Sequence, residues 1–264
     1  MRTLHWISAI CRAFLLQPSP STSNHVVQAR AHYRRRARGF LPAREWHACT
    51  RRQALTFPKN GALAVRGGRD IVPLINDLLA RSFALKIATK DFHPKDHISF
   101  ASNHEAPNNK PFESVITIHN PLNHGETQET RLWPDHCVQG TKGAELLPEL
   151  DVQKVHKIVE KGQDKRVEMY SAFADPFRDP SVATSGLAKL LHDADITDVF
   201  VVGLAADYCV RYTALDAAKE GFKTRVIEDA TRAVDPSSMD AVLREYSEAG
   251  VTVIGHDETL ELVK

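Results

Sequence analysis

The chain has 264 residues, of which 42% are hydrophobic, and a formal net charge of +1, so it is long enough to bury one large α/β core or two small ones. No run of about 18 apolar residues occurs, which argues against a transmembrane helix and against a membrane partner. The four cysteines are irregularly spaced, which does not indicate a disulfide framework and favours a reducing, cytoplasmic compartment.

The first 60 residues differ in charge from the rest of the chain. They contain 11 Lys and Arg residues and one acid, Glu45, whereas the remainder carries 23 basic and 32 acidic residues. An Arg-rich, acid-poor segment is typical of a transit peptide, a basic tail or a misread gene start, so organellar targeting stays open. Nucleic-acid binding is not favoured, because no stacking aromatic residues are interleaved with the arginines and the remainder is acidic.

Helices and strands alternate after residue 61. The spacing of apolar residues predicts a helix at 66–82. It is followed by a predicted strand at 84–93 and then by a polar loop of more than 20 residues. Further elements are then predicted in this order: a short helix near 142–148, a strand at 155–162, a helix at 185–196, a strand at 198–204, a helix from Tyr208 to Glu220, a strand at 223–230, a helix at 237–250 and a strand at 251–255. The continuous apolar strands predict a mainly parallel sheet of about six strands with helices on both faces.

Cys209 lies where a predicted strand meets a predicted helix. In DVFVVGLAADYCVRYTALDAAKEGF it follows the strand after a short turn and occupies the first turn of the helix. Backbone N–H groups and the positive end of the helix dipole favour a thiolate there, so Cys209 is the best-supported nucleophile of the chain. The same position also suits a buried cysteine that acts as a small hydrophobic residue.

Asp91 and His93 lie two residues apart at the end of a predicted strand and therefore on the same face of the sheet. This pair could bind one metal ion, and His136, in the loop RLWPDHCVQGT, would supply a third ligand of an open, catalytic type of site. Lys161 ends another strand and could point into the same cleft. Because the chain has 13 histidines and other lysines close to Lys161, an ordinary structural or solvated role stays open for each of these residues.

Four motifs together resemble a known family. TKDFHPKDHISFASNH, LWPDHCVQGT, VEKG followed by YSAF, and VVGLAADYCV occur in the order found in the nicotinamidases of the isochorismatase-like cysteine hydrolase superfamily. The resemblance extends from about Phe57 to the C-terminus, so we predict a basic segment at 1–56, disordered or misannotated, and a hydrolase domain at 57–264. It implies a three-layer α/β/α fold, metal-dependent hydrolysis of nicotinamide to nicotinate and ammonia in NAD salvage, and is compatible with a homo-oligomer.

The resemblance also implies catalytic roles for matching residues. Cys209 would attack the carboxamide carbon and form a thioester, and Lys161 would be the catalytic lysine, whose charge favours the thiolate. The backbone N–H groups of Ala205 and Cys209 would form the oxyanion hole, with a cis peptide bond between Leu204 and Ala205.

The same comparison implies the residues that hold metal and substrate. The metal, usually zinc, would be bound by Asp91, His93 and His136, and Glu168 would lie beside it without being a ligand. The ring of the substrate would be enclosed by Trp133, Tyr170 and Tyr208.

One residue of the family pattern is missing. The family carries an aspartate at the end of a central first strand, where it acts as general base, but no Asp precedes Asp70 here and HACTRRQALT is a poor substitute for an apolar strand. Three explanations stay open: a misread gene start, a pseudoenzyme that binds metal and pyridine compounds, and a targeting extension with an unusual first strand. Another isochorismatase-like hydrolase acting on a different small amide is disfavoured, because such relatives generally lack the metal site.

Overall fold

The computed structural model describes residues 12–18 and 62–263 of the chain. The chain divides into two compact units. One is formed by Met1–Ser19 and Pro58–Lys264, and the second is Pro20–Phe57. The second unit lies outside the described residues, and so does most of the basic segment predicted at 1–56, including the stretch around Arg51 where a degraded first strand was expected. Within the described residues, no helix is both long and apolar enough to cross a membrane.

The described strands form a six-stranded sheet and a separate hairpin. The strands are β1 (Arg12–Pro18), β2 (Leu85–Asp91), β3 (Val115–Asn120), β4 (Asn123–Arg131), β5 (Lys157–Lys161), β6 (Ile196–Leu204), β7 (Lys223–Arg232) and β8 (Thr252–Ile254). The large sheet has the order β5-β2-β1-β6-β7-β8, and β3 and β4 form the hairpin. Three neighbouring pairs of the large sheet are parallel, namely β2 with β5, β6 with β7 and β7 with β8. The prediction of a mainly parallel six-stranded sheet is therefore confirmed.

The centre of the sheet is occupied by β1, a strand that the sequence analysis did not predict. It runs antiparallel to both neighbours, with Arg12 opposite Thr89 and Phe14 opposite Val201. It thereby pairs the facing edges of β2 and β6, whose backbone groups would otherwise lack partners. Because β1 is antiparallel to β2, the first residue of β1 lies at the edge of the sheet where β2 ends. The seven residues of β1, RAFLLQP, include no acid.

Helices cover both faces of this sheet. They are α1 (Val72–Leu79), α2 (Leu187–Asp193), α3 (Cys209–Lys219), α4 (Met239–Glu248) and α5 (His256–Leu262). Successive residues of a strand point to opposite faces, and β6 shows this clearly. Phe200 and Val202 pack in the core beneath α1, whereas Val199 and Val201 pack in the core beneath α2, α3 and α4. The result is the expected three-layer α/β/α arrangement.

Besides β1, the β3–β4 hairpin and helix α5 were absent from the sequence prediction. The polar stretch after β2 includes the β3–β4 hairpin: in β3, VITIHN, the apolar alternation is limited to Ile116 and Ile118, and β4, NHGETQETR, contains no apolar residue. The hairpin is attached to a later loop, because the Asn120 amide donates to the carbonyl oxygen of Pro180 at 2.8 Å and Glu126 accepts the backbone N–H of Arg178 at 2.8 Å. The short helix α5 after β8 was also missed.

Candidate active site

Cys209 lies at the start of α3, at the carboxyl edge of the sheet. β6 ends at Leu204, a short turn follows, and Cys209 is the first residue of the 11-residue helix. The peptide bond between Leu204 and Ala205 is cis, as the family resemblance implied. The thiol is buried, with 8% of the residue exposed. Its place at a helix N-terminus favours the thiolate, because the backbone N–H groups there carry partial positive charge.

Lys161 provides a positive charge beside this sulfur. It is the last residue of β5 and lies opposite Asp91, the last residue of β2, in the parallel ladder. Its Nζ lies 4.0 Å from the Sγ of Cys209, forms an ion pair with Asp91 and donates to the carbonyl oxygen of Met169 at 2.6 Å. Only 1% of the lysine side chain is exposed, so its role is not that of a solvated surface lysine. A buried ammonium group at this distance stabilises negative charge on sulfur.

Asp91, His93 and His136 converge on one point of the same edge. All three are buried, and each offers one ligand atom within 4.8 Å of the others. The Nδ1 of His93 lies 2.8 Å from the carbonyl oxygen of Gly162, and the Nδ1 of His136 lies 2.8 Å from that of Pro134. A carbonyl oxygen only accepts hydrogen bonds, so each Nδ1 carries the proton and each Nε2 keeps its lone pair. The donor set and the fixed tautomers fit a divalent transition metal.

Burial prepares the imidazoles for metal binding. Removal from water lowers the pKa of His136 and places that of His93 well below its ordinary value, so both rings are neutral at physiological pH. Neutral imidazole is the form that ligates metals, and no proton has to leave these two rings first.

His97 belongs to the same cluster, although the sequence analysis assigned it no role. Its ring centroid lies 4.2 Å from that of His93, and its Nδ1 lies 2.8 Å from the Oγ of Ser99. Burial lowers the pKa of His97 to about 4. The available signal was a second imidazole four residues after His93 in the motif DFHPKDH.

Gly162 is required for the position of His93. Its φ is +67°, and a Cβ added there would lie 2.7 Å from the Nδ1 of His93, which real Cβ atoms essentially never do. We expect Gly162→Ala to displace the imidazole and to weaken zinc affinity by about 10- to 100-fold, the usual range when a ligand loses its orienting partner. Competition with a chromophoric chelator measures this affinity.

Gly250→Ala is the matched control, because Gly250 has a φ of +74° and an added Cβ would meet nothing within 4 Å. Both variants adopt a left-handed backbone that disfavours alanine by about 1–2 kcal/mol, but only Gly162→Ala should lose zinc affinity. An equal loss of zinc affinity in the two variants would show that contact with His93 is not the cause.

Aromatic rings complete a cavity over these groups. The cavity has a volume of about 430 Å³, partly open to solvent, and its described lining includes Cys209 and Lys161. On its walls the ring of Trp133 meets that of Tyr208 edge to face, with centroids 5.0 Å apart, and the centroids of Tyr170 and Tyr208 lie 5.4 Å apart. Such a slot suits a flat heterocycle.

The described lining of this cavity includes two carboxylates, Asp91 and Glu168. Glu168 lies outside the triad of candidate ligands and accepts the backbone N–H of Met169 at 2.9 Å. Burial raises the pKa of Glu168, and the positive charge of Lys161 opposes that shift. Asp91 is already paired with Lys161. No third acid lines this cavity among the described residues.

The structure therefore brings together every site residue that the sequence analysis named. The cavity is lined by Asp91, His93, Trp133, His136, Lys161, Glu168, Tyr170, Ala205, Tyr208 and Cys209. Sequence patterns had placed these residues in five separate segments, and the carboxyl edge of the sheet gathers them into one place.

Comparisons with known proteins agree with this geometry. Residues 56–258 match the isochorismatase domain family. The nicotinamidase of Acinetobacter baylyi is 40% identical over 196 residues, which cover 74% of this chain and 85% of that protein. The structure of the yeast nicotinamidase superposes with a TM-score of 0.68 at 35% identity, covering 74% of this chain and 91% of the yeast chain. A Pyrococcus horikoshii pyrazinamidase solved in complex with zinc superposes with a TM-score of 0.55 at 32% identity, covering 74% and 90%. This chain belongs to the isochorismatase-like hydrolases and, among them, to the nicotinamidases.

Proposed function

We propose that this protein hydrolyses nicotinamide to nicotinate and ammonia in NAD salvage, in the cytoplasm, with a zinc ion or another divalent transition metal held by Asp91, His93 and His136. The observation that carries the proposal is the meeting of a thiol, a buried lysine and three candidate metal ligands in one cavity lined by aromatic rings. An amidohydrolase needs these elements for attack, charge stabilisation and orientation of the substrate.

The residues of the chain have distinct roles in this reaction. Trp133, Tyr170 and Tyr208 enclose the pyridine ring. The sulfur of Cys209 attacks the carboxamide carbon, a C–S bond forms, and the backbone N–H groups of Ala205 and Cys209 donate hydrogen bonds to the former carbonyl oxygen, which now carries the negative charge. The C–N bond then breaks, and the proton of the Cys209 thiol ends on the leaving nitrogen, so that ammonia departs and a thioester remains. Water attacks the thioester and the C–S bond breaks. One proton of the water returns to the sulfur and the other passes to solvent, which releases nicotinate and regenerates the thiol.

A metal ion held by Asp91, His93 and His136 would supply Lewis acidity, which suits a ring nitrogen of the substrate and would help to orient its carboxamide. The chain contributes the rest of the orientation. The carbonyl groups of Gly162 and Pro134 hold the two imidazoles, and Glu168 adds a carboxyl group beside the triad.

A second candidate function follows from one observation. Proton transfer from the thiol to ammonia needs a base, and the central strand β1 contains no acid in its seven residues. A chain without that base could bind metal and pyridine compounds without turning them over. The two candidates differ in whether ammonia is formed.

The deciding experiment measures ammonia release from nicotinamide by the zinc-loaded, full-length protein, together with nicotinamide binding by calorimetry. Stoichiometric ammonia and nicotinate are expected. Binding without ammonia would replace the hydrolase with the pyridine-binding protein, and absence of both would overturn both candidates.

We expect His93→Ala to lower zinc affinity by at least about 100-fold, because removal of a ligand exceeds the 10- to 100-fold loss caused by disturbing its orienting partner. Elemental analysis after gel filtration measures the zinc content. His124→Ala, at an exposed position of the hairpin, is the control and should keep its zinc. Full occupancy in His93→Ala would remove His93 from the set of ligands.

A further inference from the structure

A second cavity lies directly behind the wall of the substrate cavity. It has a volume of about 340 Å³, partly open to solvent, and Gln128, Thr130 and Tyr212 are among its lining residues. Two residues, Glu168 and Tyr170, line both cavities. The two spaces are thus neighbours that share part of one wall.

The side chain of Tyr170 is fixed in this wall from both sides. On the side of the substrate, the indole Nε1–H of Trp133 donates to its hydroxyl oxygen at 2.9 Å. On the other side, the hydroxyl of Thr130 lies 3.2 Å from that oxygen, and the ring of Tyr212 stacks on the ring of Tyr170 with centroids 5.5 Å apart and 17° between planes. A ring with these contacts is a rigid partition, because it cannot turn without losing hydrogen bonds and stacking.

The lining of the second cavity indicates what it would accept. Gln128 and Thr130 offer an amide and a hydroxyl group, and Ser171 adds another hydroxyl. The one described arginine of the lining, Arg178, is engaged by the carboxylate of Asp216 at 2.8 Å. The acidic side chains of the lining also disfavour an anion, so the space suits a neutral substituent with hydrogen-bonding groups better. These acids are Glu168, Asp175 and Asp216.

We propose that Tyr170 is a specificity-determining partition: it closes off a polar subsite, and its ring limits the enzyme to pyridine carboxamides without bulky ring substituents. The inference rests on the proposed function, because it assumes that a pyridine carboxamide occupies the first cavity. Removal of the ring would join the two cavities and admit substituted nicotinamides.

The test measures dissociation constants by calorimetry in the zinc-loaded Cys209→Ala protein, so that no turnover interferes. The ligands are nicotinamide and nicotinamides with a hydroxyethyl group at each free ring carbon. With Tyr170 present, every substituted compound should bind at least about tenfold more weakly than nicotinamide, since even one misfitting methylene changes binding by about 10- to 200-fold. In Tyr170→Ala, at least one of them should bind as well as nicotinamide.

Tyr170→Phe is the matched control, because it keeps the ring and loses only the hydroxyl group. It loses the hydrogen bonds of the hydroxyl but keeps the stacking on Tyr212, so its discrimination should stay closer to that of the parent than to that of Tyr170→Ala. If Tyr170→Ala fails to fold, Tyr170→Leu takes its place, because leucine retains apolar packing. Its ratio of dissociation constants, substituted compound to nicotinamide, should lie between those of the parent and Tyr170→Ala.

Two results would overturn the partition alone. One is a ratio of dissociation constants, substituted compound to nicotinamide, that is the same in Tyr170→Ala and Tyr170→Leu as in the parent. The other is a ratio in Tyr170→Phe that is as low as in Tyr170→Ala. Failure of the Cys209→Ala protein to bind nicotinamide itself would overturn the proposed function and the partition with it.

Discussion

Replacement of Cys209 by alanine is expected to lower ammonia release from nicotinamide by at least about 10⁴-fold, because removal of a nucleophile disables both halves of a covalent mechanism. The sulfur is buried at the N-terminus of α3 and lies 4.0 Å from the Nζ of Lys161. Alanine removes the sulfur and leaves the helix and the lysine in place. Nicotinamide binding and zinc content should therefore persist, which separates loss of chemistry from loss of the site.

Cys137→Ala is the control for a general effect of thiol removal. Cys137 is also buried, and its carbonyl oxygen accepts the backbone N–H of His93 at 3.0 Å, a contact that alanine keeps. This variant should turn over nicotinamide. If Cys209→Ala released ammonia at the parent rate, Cys209 would not be the nucleophile.

The second large effect concerns the centre of the sheet. We expect the rate of ammonia release from nicotinamide to rise when residues 1–56 are replaced by an apolar strand that runs parallel to its neighbours and ends in aspartate. The expected gain is about 10²- to 10⁴-fold, which is the usual contribution of a general base. At present β1 runs antiparallel, so Arg12 rather than the last residue of the strand lies beside the carboxyl end of β2. A parallel strand would direct its last side chain towards the edge where Cys209 lies.

The control carries asparagine in place of the new aspartate. Both replacements complete the sheet, so soluble yield and unfolding temperature should change alike, whereas the ammonia rate should rise only with aspartate. Equal rates in the two versions would rule out a missing base as the limit on turnover. If the parent protein already released ammonia from nicotinamide as fast as its relatives do, no base would be lacking.

The fold was predictable where burial imposes a regular pattern. Strand β6 and helix α3 were found because FVVGL is continuously apolar and because apolar residues recur along α3 with the helical period. Strand β1 was missed because it lies within a stretch whose Arg-rich composition argued against a globular fold. The β3–β4 hairpin was missed because the alternation in β3 is short and β4 has no apolar residue, and its attachment to the loop at 178–180 depends on residues far apart in sequence.

Most residues that line the candidate site were predictable from the sequence, but their geometry was not. Asp91, His93 and Cys209 follow from their places at the ends of elements, and the family resemblance supplied the aromatic residues. His97 was missed although it lies only four residues after His93. The contact between Gly162 and His93 and the position of Tyr170 between two cavities depend on packing between segments far apart in sequence. No local pattern encodes such contacts.

The central position of β1 also determines the order in which the sheet can be built. β1 precedes every other described strand along the chain, but its partner β6 is complete only after residue 204 has been synthesised. Until then the edge of β1 that pairs with β6 is open to pairing with other chains. Because contacts of such long sequence separation slow folding, we expect the sheet to close late and the nascent chain to be prone to aggregation until it does.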